Sequence, residues 1–126
     1  MCVVYLAGGM HSYWRDRLLD SHHSLINPKD RDWAETKMDT PSKYTPWDLA
    51  AIDASDVVFA YWDEENPSGY GLCLEIGYAL ARGKLVILCD EKQDPRGDMA
   101  RAAASVCFAG EFALEDGIEY LESITW

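Results

Sequence analysis

The chain has 126 residues, enough for one domain around a single core, and its 48% hydrophobic content is ordinary for a globular protein. Its 22 acidic residues against 11 basic ones leave a formal charge of −11. That balance argues against nucleic-acid polymers and anionic membranes as partners, while leaving room for one small phosphate gripped locally. The acid is unevenly placed: residues 1–43 hold six bases and six acids, residues 44–126 five bases and sixteen acids. No apolar run approaches a membrane span. The stretch Met1 to Ala7 has no charged n-region and runs straight into strand, so no secretory leader is expected. Cys2, Cys73, Cys89 and Cys107 lie scattered in apolar segments without metal-ligand spacing. Reduced thiols, a cytoplasmic location and no metal site are expected from them.

In chain order, Cys2–Ala7 reads as a strand that ends in Gly8-Gly9, followed by a helix through Tyr13 to Leu19. Ser24–Asn27 is a short second strand stopped by Pro28. Residues 29 to 45 are polar, contain Trp33, Lys37, Pro41 and Lys43, and show no clean period. A loop of that length in a compact domain is a functional lid or a disordered segment. Pro46 to Ala54 reads as a helix with Thr45 as N-cap and Pro46 at the first helical position. Val57–Tyr61 is an apolar third strand. A Gly-rich turn, Pro67-Ser68-Gly69-Tyr70-Gly71, then opens a helix whose sheet-facing stripe is Leu72, Ile76, Ala79 and Gly83. Lys84–Cys89 and Ser105–Ala109 are the fourth and fifth strands, with helices over Asp98–Ala104 and Glu111–Ile124. The chain contains no internal repeat.

Strands alternating with helices imply a single α/β domain over residues 1–126, a five-stranded, mostly parallel, flavodoxin/Rossmann-like sheet with helices on both faces. Ligands in such sheets bind beyond the carboxyl ends of the strands, where strand order reverses. With order 2-1-3-4-5 the switch point lies between the first and third strands. It gathers Gly8, Gly9 and Met10, the turn around Ser68, Gly69 and Gly71, and Glu75 into one crevice.

Glu75 is the one acid close to the apolar stripe of its helix, placed by this reading in the first turn, where the helix dipole steadies an anion. It is either a site carboxylate or a first-turn Glu facing water. Gly8-Gly9 is either a tight strand-to-helix turn or a close backbone approach to a ligand, and it is no dinucleotide fingerprint. The Ser68–Gly71 turn is either a cap or an anion cradle. Asp48 falls in the first turn of its helix. Asp63, Glu64 and Glu65 read as a solvated acidic loop, Asp63 leaving the third strand at the right end. His11, His22 and His23 are assigned to the surface. Trp14, Trp33 and Trp47 are read as core, lid or base-stacking groups. The first turn lacks the Ser/Thr-rich phosphate loop that a flavodoxin-like FMN binder carries.

Several blocks together carry a family resemblance from Val3 to about Cys89: Val4 to Met10, Trp14-Arg15, Asn27-Pro28-Lys29, Trp47 to Val58, and Gly71 to Ala79. In their order and spacing they resemble the nucleoside 2-deoxyribosyltransferase-like superfamily. That resemblance implies base-exchanging transferases or hydrolases of nucleoside 5′-monophosphates. It matches Glu75 to the glutamate nucleophile, Asp48 to the aspartate that contacts and helps protonate the base, and Tyr5, Gly8 and Gly9 to the first-strand rim of the pocket. One departure stands out: Gly69 occupies the place of an aspartate that the transferases carry six residues before the nucleophile. Allowing for a one-residue shift, Pro67-Ser68 looks instead like the hydrolase branch, in which a serine of this turn contacts the substrate phosphate, and Asp63 could substitute sterically for the missing acid. Arg15 is a candidate to assist the phosphate if its helix faces the crevice.

The chemistry agrees with those residue types. A carboxylate traps an oxocarbenium-like sugar as a glycosyl-enzyme while an acid assists the leaving base, and no metal or organic cofactor is required. The expected partner is a small nucleoside or nucleotide, with the chain as a homodimer or larger homo-oligomer. Hydrolysis of a (deoxy)nucleoside 5′-monophosphate is the leading expectation. Base exchange and a non-catalytic nucleotide-sensing module are the alternatives.

Overall fold

A computed structural model of the chain describes residues 1–10, 12–30 and 40–125. Five strands, β1 (Val3–Gly8), β2 (Ser24–Ile26), β3 (Val57–Trp62), β4 (Leu85–Asp90) and β5 (Val106–Ala109), form one sheet in the order β2-β1-β3-β4-β5. Every pairing is parallel, with Val4 opposite Val57 across the central pair and Val57 opposite Leu85 on the other side. Among the described residues four α-helices accompany it: α1 (Pro41–Asp53), α2 (Tyr70–Ala81), α3 (Asp98–Ala103) and α4 (Ala113–Ser123). The doubly covered parallel architecture is therefore the one expected from the alternation of apolar strands and helices.

Alternation along the strands splits the core in two. Val4, Leu6, Phe59, Tyr61, Ile87 and Cys89 point to one face, where Trp14 and Leu18 of a 3-10 helix (Trp14–Leu18) and Ala113, Leu114 and Leu121 of α4 cover them. Tyr5, Ala7, Val58, Ala60, Trp62, Val86 and Leu88 point to the other, under Ile52 of α1 and Leu72, Ile76 and Ala79 of α2. Each large apolar side chain buried this way contributes on the order of 1.5–3 kcal/mol. β3 is buried at every position, so its run of Val, Phe, Ala, Tyr and Trp without polar alternation follows directly from its place in the middle of the sheet.

Several local expectations are corrected. α1 starts at Pro41 with Thr40 as N-cap, so the proline that opens the helix is Pro41 and not Pro46. Pro46 lies inside the helix, tolerated because it and Ser42, whose carbonyl loses its amide partner, are both exposed to water. Asp48 consequently sits mid-helix and Thr45 is a helical residue. α2 begins at Tyr70 after a left-handed Gly69, which moves Glu75 into the second turn and leaves Gly83 outside the helix. His22 is exposed but His23 is buried, only 5% accessible. Its Nδ1 accepts the Cys2 amide hydrogen at 3.2 Å, so Nε2 carries the proton and donates to the Leu121 carbonyl at 3.0 Å. Asp63 is also buried rather than solvated. His11, Trp33, Lys37 and Trp126 lie outside the described residues.

Candidate active site

A cavity of about 460 Å³ opens at the carboxyl ends of β1 and β3, on the α1–α2 face. Three segments converge on it, and each has a local reason for its shape.

The first is the exit of β1. Gly8 has φ +148, and a β-carbon there would lie 2.6 Å from the Tyr61 carbonyl oxygen and 3.0 Å from Trp14 Cζ2. Only glycine lets β1 turn this close to β3. Arg15 holds the turn from behind: Nε donates to the Leu6 carbonyl at 3.1 Å, Nη2 to that of Gly8 at 2.9 Å and Nη1 to that of Gly9 at 2.9 Å. Trp14 Nε1 donates to the Gly9 carbonyl as well, at 3.2 Å, and the guanidinium lies 4.5 Å from the indole centroid. Arg15 is 1% exposed and is not among the cavity-lining residues. These three bonds shape the backbone of the turn, and the structure does not bring Arg15 to the cavity wall, where a phosphate ligand was expected. Gly8, Gly9 and Met10 do line the cavity.

The second segment leaves β3. The Asn66 amide bonds to the Asp63 carbonyl at 3.2 Å, and the Asn66 side-chain oxygen accepts the Ser68 amide at 3.1 Å. This Asx turn delivers Gly69 at φ +78. A β-carbon on Gly69 would approach Cε2 and Cζ2 of Trp62 at 2.6 Å. The indole of Trp62 is buried behind the turn, wedged between Gly69 and Gly97, and its Nε1 has no hydrogen-bond partner among the described residues. Asn66, Ser68, Gly69, Tyr70 and Gly71 line the cavity, whereas Asp63 does not. Asp63 is buried and is not brought to the cavity wall as the expected substitute for an acid at position 69.

The third segment is the facing pair of helices. Glu75, half-buried on α2, accepts a 2.5 Å hydrogen bond at Oε2 from the hydroxyl of Tyr5, which rises from the sheet below. From α1, Tyr44, Thr45, Asp48 and Leu49 line the opposite wall at helical spacing. The two acids thus share one cavity, and Tyr5 fixes one carboxylate oxygen of Glu75 from the sheet side. Tyr5 itself supports the floor without lining the cavity.

Sequence reasoning missed Tyr44, Thr45 and Leu49, because Pro46 reads as a helix start and hides the preceding turn. The i, i+1, i+4, i+5 spacing that they share with Asp48 is the signal that finds them. The Tyr5–Glu75 bond was missed too, although a tyrosine in the middle of a buried strand needs a partner for its hydroxyl.

Among the described residues one group has metal-ligand potential: His22, His23 and Glu122, with ligand atoms within 4.8 Å of one another. It sits at the amino end of the sheet, remote from the cavity, and both nitrogens of His23 are already engaged. All four cysteines are free thiols, two of them buried. No described helix is long and apolar enough to cross a membrane.

The family model for nucleoside 2-deoxyribosyltransferase-like proteins matches residues 2–93, which include Tyr5, Asp48 and Glu75. The chain belongs to this family. It is an enzyme by that membership. No curated protein sequence matches it significantly. Among solved structures it is similar to a 2-deoxyribosyltransferase from Bacillus psychrosaccharolyticus, with TM-score 0.74, 18% identity, and coverage of 98% of this chain and 93% of that one. It is similar also to the CMP N-glycosidase BcmB of Clostridium botulinum, with TM-score 0.61, 23% identity, and coverage of 95% and 98%. A 2-deoxyribosyltransferase from Leishmania mexicana gives TM-score 0.57 and 19% identity over 77% of this chain and 69% of that one. At these identities the likeness is one of fold. It agrees with the five-stranded parallel sheet and leaves open which of the family's reactions this cavity performs.

Proposed function

We propose that the chain hydrolyses the N-glycosidic bond of a (deoxy)nucleoside 5′-monophosphate. Glu75, held in place by the Tyr5 hydroxyl, attacks the anomeric carbon with its carboxylate, and the C–N bond breaks as the Glu75–sugar ester forms. Asp48, on the opposite wall, donates a proton to the departing base. Water then attacks the anomeric carbon of the ester, freeing Glu75 and returning a proton to Asp48, so the sum is base plus sugar phosphate. Neither step calls for a metal or organic cofactor.

The observation that carries the hydrolytic reading is the construction of the turn at Gly69. The transferases that this chain resembles have an aspartate at this place, and here a left-handed φ and the Trp62 ring oppose any side chain. The same turn offers an anion Ser68 and the first amides of α2, which as helix N-terminal groups have no acceptor within the helix. A homo-oligomer belongs to this reading as well: α3 buries none of its side chains, Met99 is exposed, and Tyr70 and Leu74 stand exposed at the cavity mouth. Light scattering at micromolar concentration tests it, a fully active monomer being the contrary result. The unpaired cysteines support placement in a reducing compartment such as the cytoplasm.

The deciding experiment compares a panel of nucleosides with their 5′-monophosphates, each with and without an acceptor base. The reading expects acceptor-independent base release, with kcat/KM about tenfold or more higher for the monophosphate, since a charge-assisted contact contributes ~1.5–3 kcal/mol. Acceptor-dependent turnover of the plain nucleoside at an equal or higher rate makes this a transferase. Tight binding of a nucleotide without turnover makes it a sensing module.

A further inference from the structure

The wall that carries Asp48 packs most closely at its far end, with Trp47 and Leu49 beside Asp48 only partly buried against the core. Along α1 only Ala51 and Ile52 are buried, both at the carboxyl end. The turns bearing Tyr44, Thr45 and Asp48 are half-exposed, and Pro46 interrupts the helical bonding between them. Where Asp48 stands relative to Glu75 therefore depends on how the far end of α1 is tied to α2.

That tie is a compact polar cluster. Asp53, the last residue of α1, accepts the Tyr78 hydroxyl at Oδ2 and Arg82 Nε at Oδ1, both at 2.7 Å. Lys84 Nζ donates to the Asp53 backbone carbonyl at 3.0 Å. Tyr78 stands three residues after Glu75 on α2, and Asp53 five residues after Asp48 on α1. An exposed ion pair alone contributes little. Here the carboxylate is fixed at both oxygens, one of them by a neutral donor on a rigid, half-buried ring that the Arg82 guanidinium overlies at 5.7 Å. The Tyr78 hydroxyl, ahead of Arg82, holds the Asp53 carboxyl below its ordinary range, as expected for a bond made to the ionised form.

We propose that the Asp53–Tyr78–Arg82 cluster is a positioning device that sets the separation of Asp48 and Glu75, with Tyr78 as its key positioning residue. The inference rests on the reading that those two acids act together across the cavity. Misplacing a reacting group by an ångström costs up to about a hundredfold in rate, so a tie of this kind acts on kcat more than on binding.

The test is a double-mutant cycle in the full chain, assayed on the nucleoside 5′-monophosphate that releases its base fastest. Tyr78→Phe removes only the hydroxyl and keeps the ring. It is expected to lower kcat about tenfold, with KM changed less than about twofold and the melting temperature moved by only a few degrees. Asp53→Asn, a second variant, is expected to reproduce the loss in kcat. In an Asp48→Asn background, where no carboxylate remains to be placed, Tyr78→Phe should cost less than about twofold. A Tyr78→Phe enzyme with wild-type kcat, or losses that multiply fully in the double mutant, overturns the inference while leaving Asp48 and Glu75 in place as the reacting acids. If Asp48→Asn and Glu75→Gln both retain wild-type rate, the reading of the cavity fails, and the positioning role with it.

Discussion

Replacing Gly69 by alanine tests whether the turn beneath the cavity is built as described. Two costs add. A non-glycine residue at φ +78 pays roughly 1–2 kcal/mol for left-handed backbone. The new β-carbon would also sit 2.6 Å from two carbons of Trp62 and 2.7 Å from its Nε1, well inside van der Waals contact. The indole is 2% exposed and has Gly97 on its other side, where a β-carbon would again be only 2.6 Å from the ring, so it has little room to retreat. Overpacking of this kind costs about 1–3 kcal/mol. The sum, roughly 2–5 kcal/mol, is a large part of the ~5–15 kcal/mol that stabilises a domain. For a chain of this length it corresponds to a fall in melting temperature of roughly 6–25 °C.

The control lies two residues on. A β-carbon on Gly71 meets nothing within 4 Å, and its φ is not positive. Gly71→Ala should leave stability unchanged or raise it by up to about 1 kcal/mol through helix propensity. Urea unfolding of both variants, with Trp62→Leu combined with Gly69→Ala as a third, reads out the mechanism. The double mutant should be more stable than the sum of its parts, because the clash has been removed. If Gly69→Ala unfolds within about 1 kcal/mol of wild type, or no earlier than Gly71→Ala, the account of the turn is wrong. The claim that this fold excludes an acid at position 69 then fails with it.

Other outcomes follow from the same geometry. Tyr5→Phe removes the hydroxyl on Glu75 and should lower kcat roughly ten- to a hundredfold, from ~1.5–3 kcal/mol of charge-assisted bonding, with little change in KM; steady-state kinetics showing wild-type kcat would refute it. Arg15→Ala should cost ~3 kcal/mol or more in denaturant unfolding, because three carbonyls lose a buried donor. An Arg15→Ala protein of normal stability with a raised KM for the monophosphate alone would return Arg15 to the role of phosphate ligand. The Asp53 carboxyl, lowered first by the Tyr78 hydroxyl and then by Arg82 and Lys84, binds its proton less readily folded than unfolded. Its stabilisation is therefore complete above the ordinary carboxylate range and is lost as pH falls below about 4. Urea midpoints at pH 6 and pH 3 should differ less for Tyr78→Phe than for wild type, and identical acid dependence would show that the bond does not favour the ionised form.

Much of the fold was legible in the sequence because the strands of a doubly covered sheet are apolar at every position. Val57 to Trp62 has no polar residue to confuse the reading, and Gly-rich turns mark where β1 and β3 end. The 2-1-3-4-5 order expected from that alternation brings Gly8, Gly9, Ser68, Gly69 and Glu75 to one crevice, as the structure has them. What stayed hidden depended on direction rather than type. Arg15 looks like any phosphate-binding arginine until its guanidinium is seen turned toward the carbonyls of Leu6, Gly8 and Gly9. Pro46 obeys the rule for a first helical position and breaks it, because exposure at Ser42 makes the lost bond cheap. His23 and Asp63 were read as surface on composition, whereas burial was decided by the docking of α4 in one case and the path of the chain leaving β3 in the other.

The burial of Arg15 also bears on how an acidic protein would accept the anionic substrate proposed above. Asp48 and Glu75 face the cavity, and a chain carrying −11 surrounds it. Most of that charge lies on solvated surface, where salt screens it over about 8–10 Å. Arg15, at 1% exposure, is not screened in this way. Its guanidinium lies behind the Gly8-Gly9 rim, bonded to the carbonyls of Leu6, Gly8 and Gly9. The amino end of α2 adds a partial positive charge from the adjacent wall. Helix-end amides near the Ser68–Gly71 turn, set against a distant and screened negative surface, give the acidic chain a local place for the phosphate of the substrate proposed above.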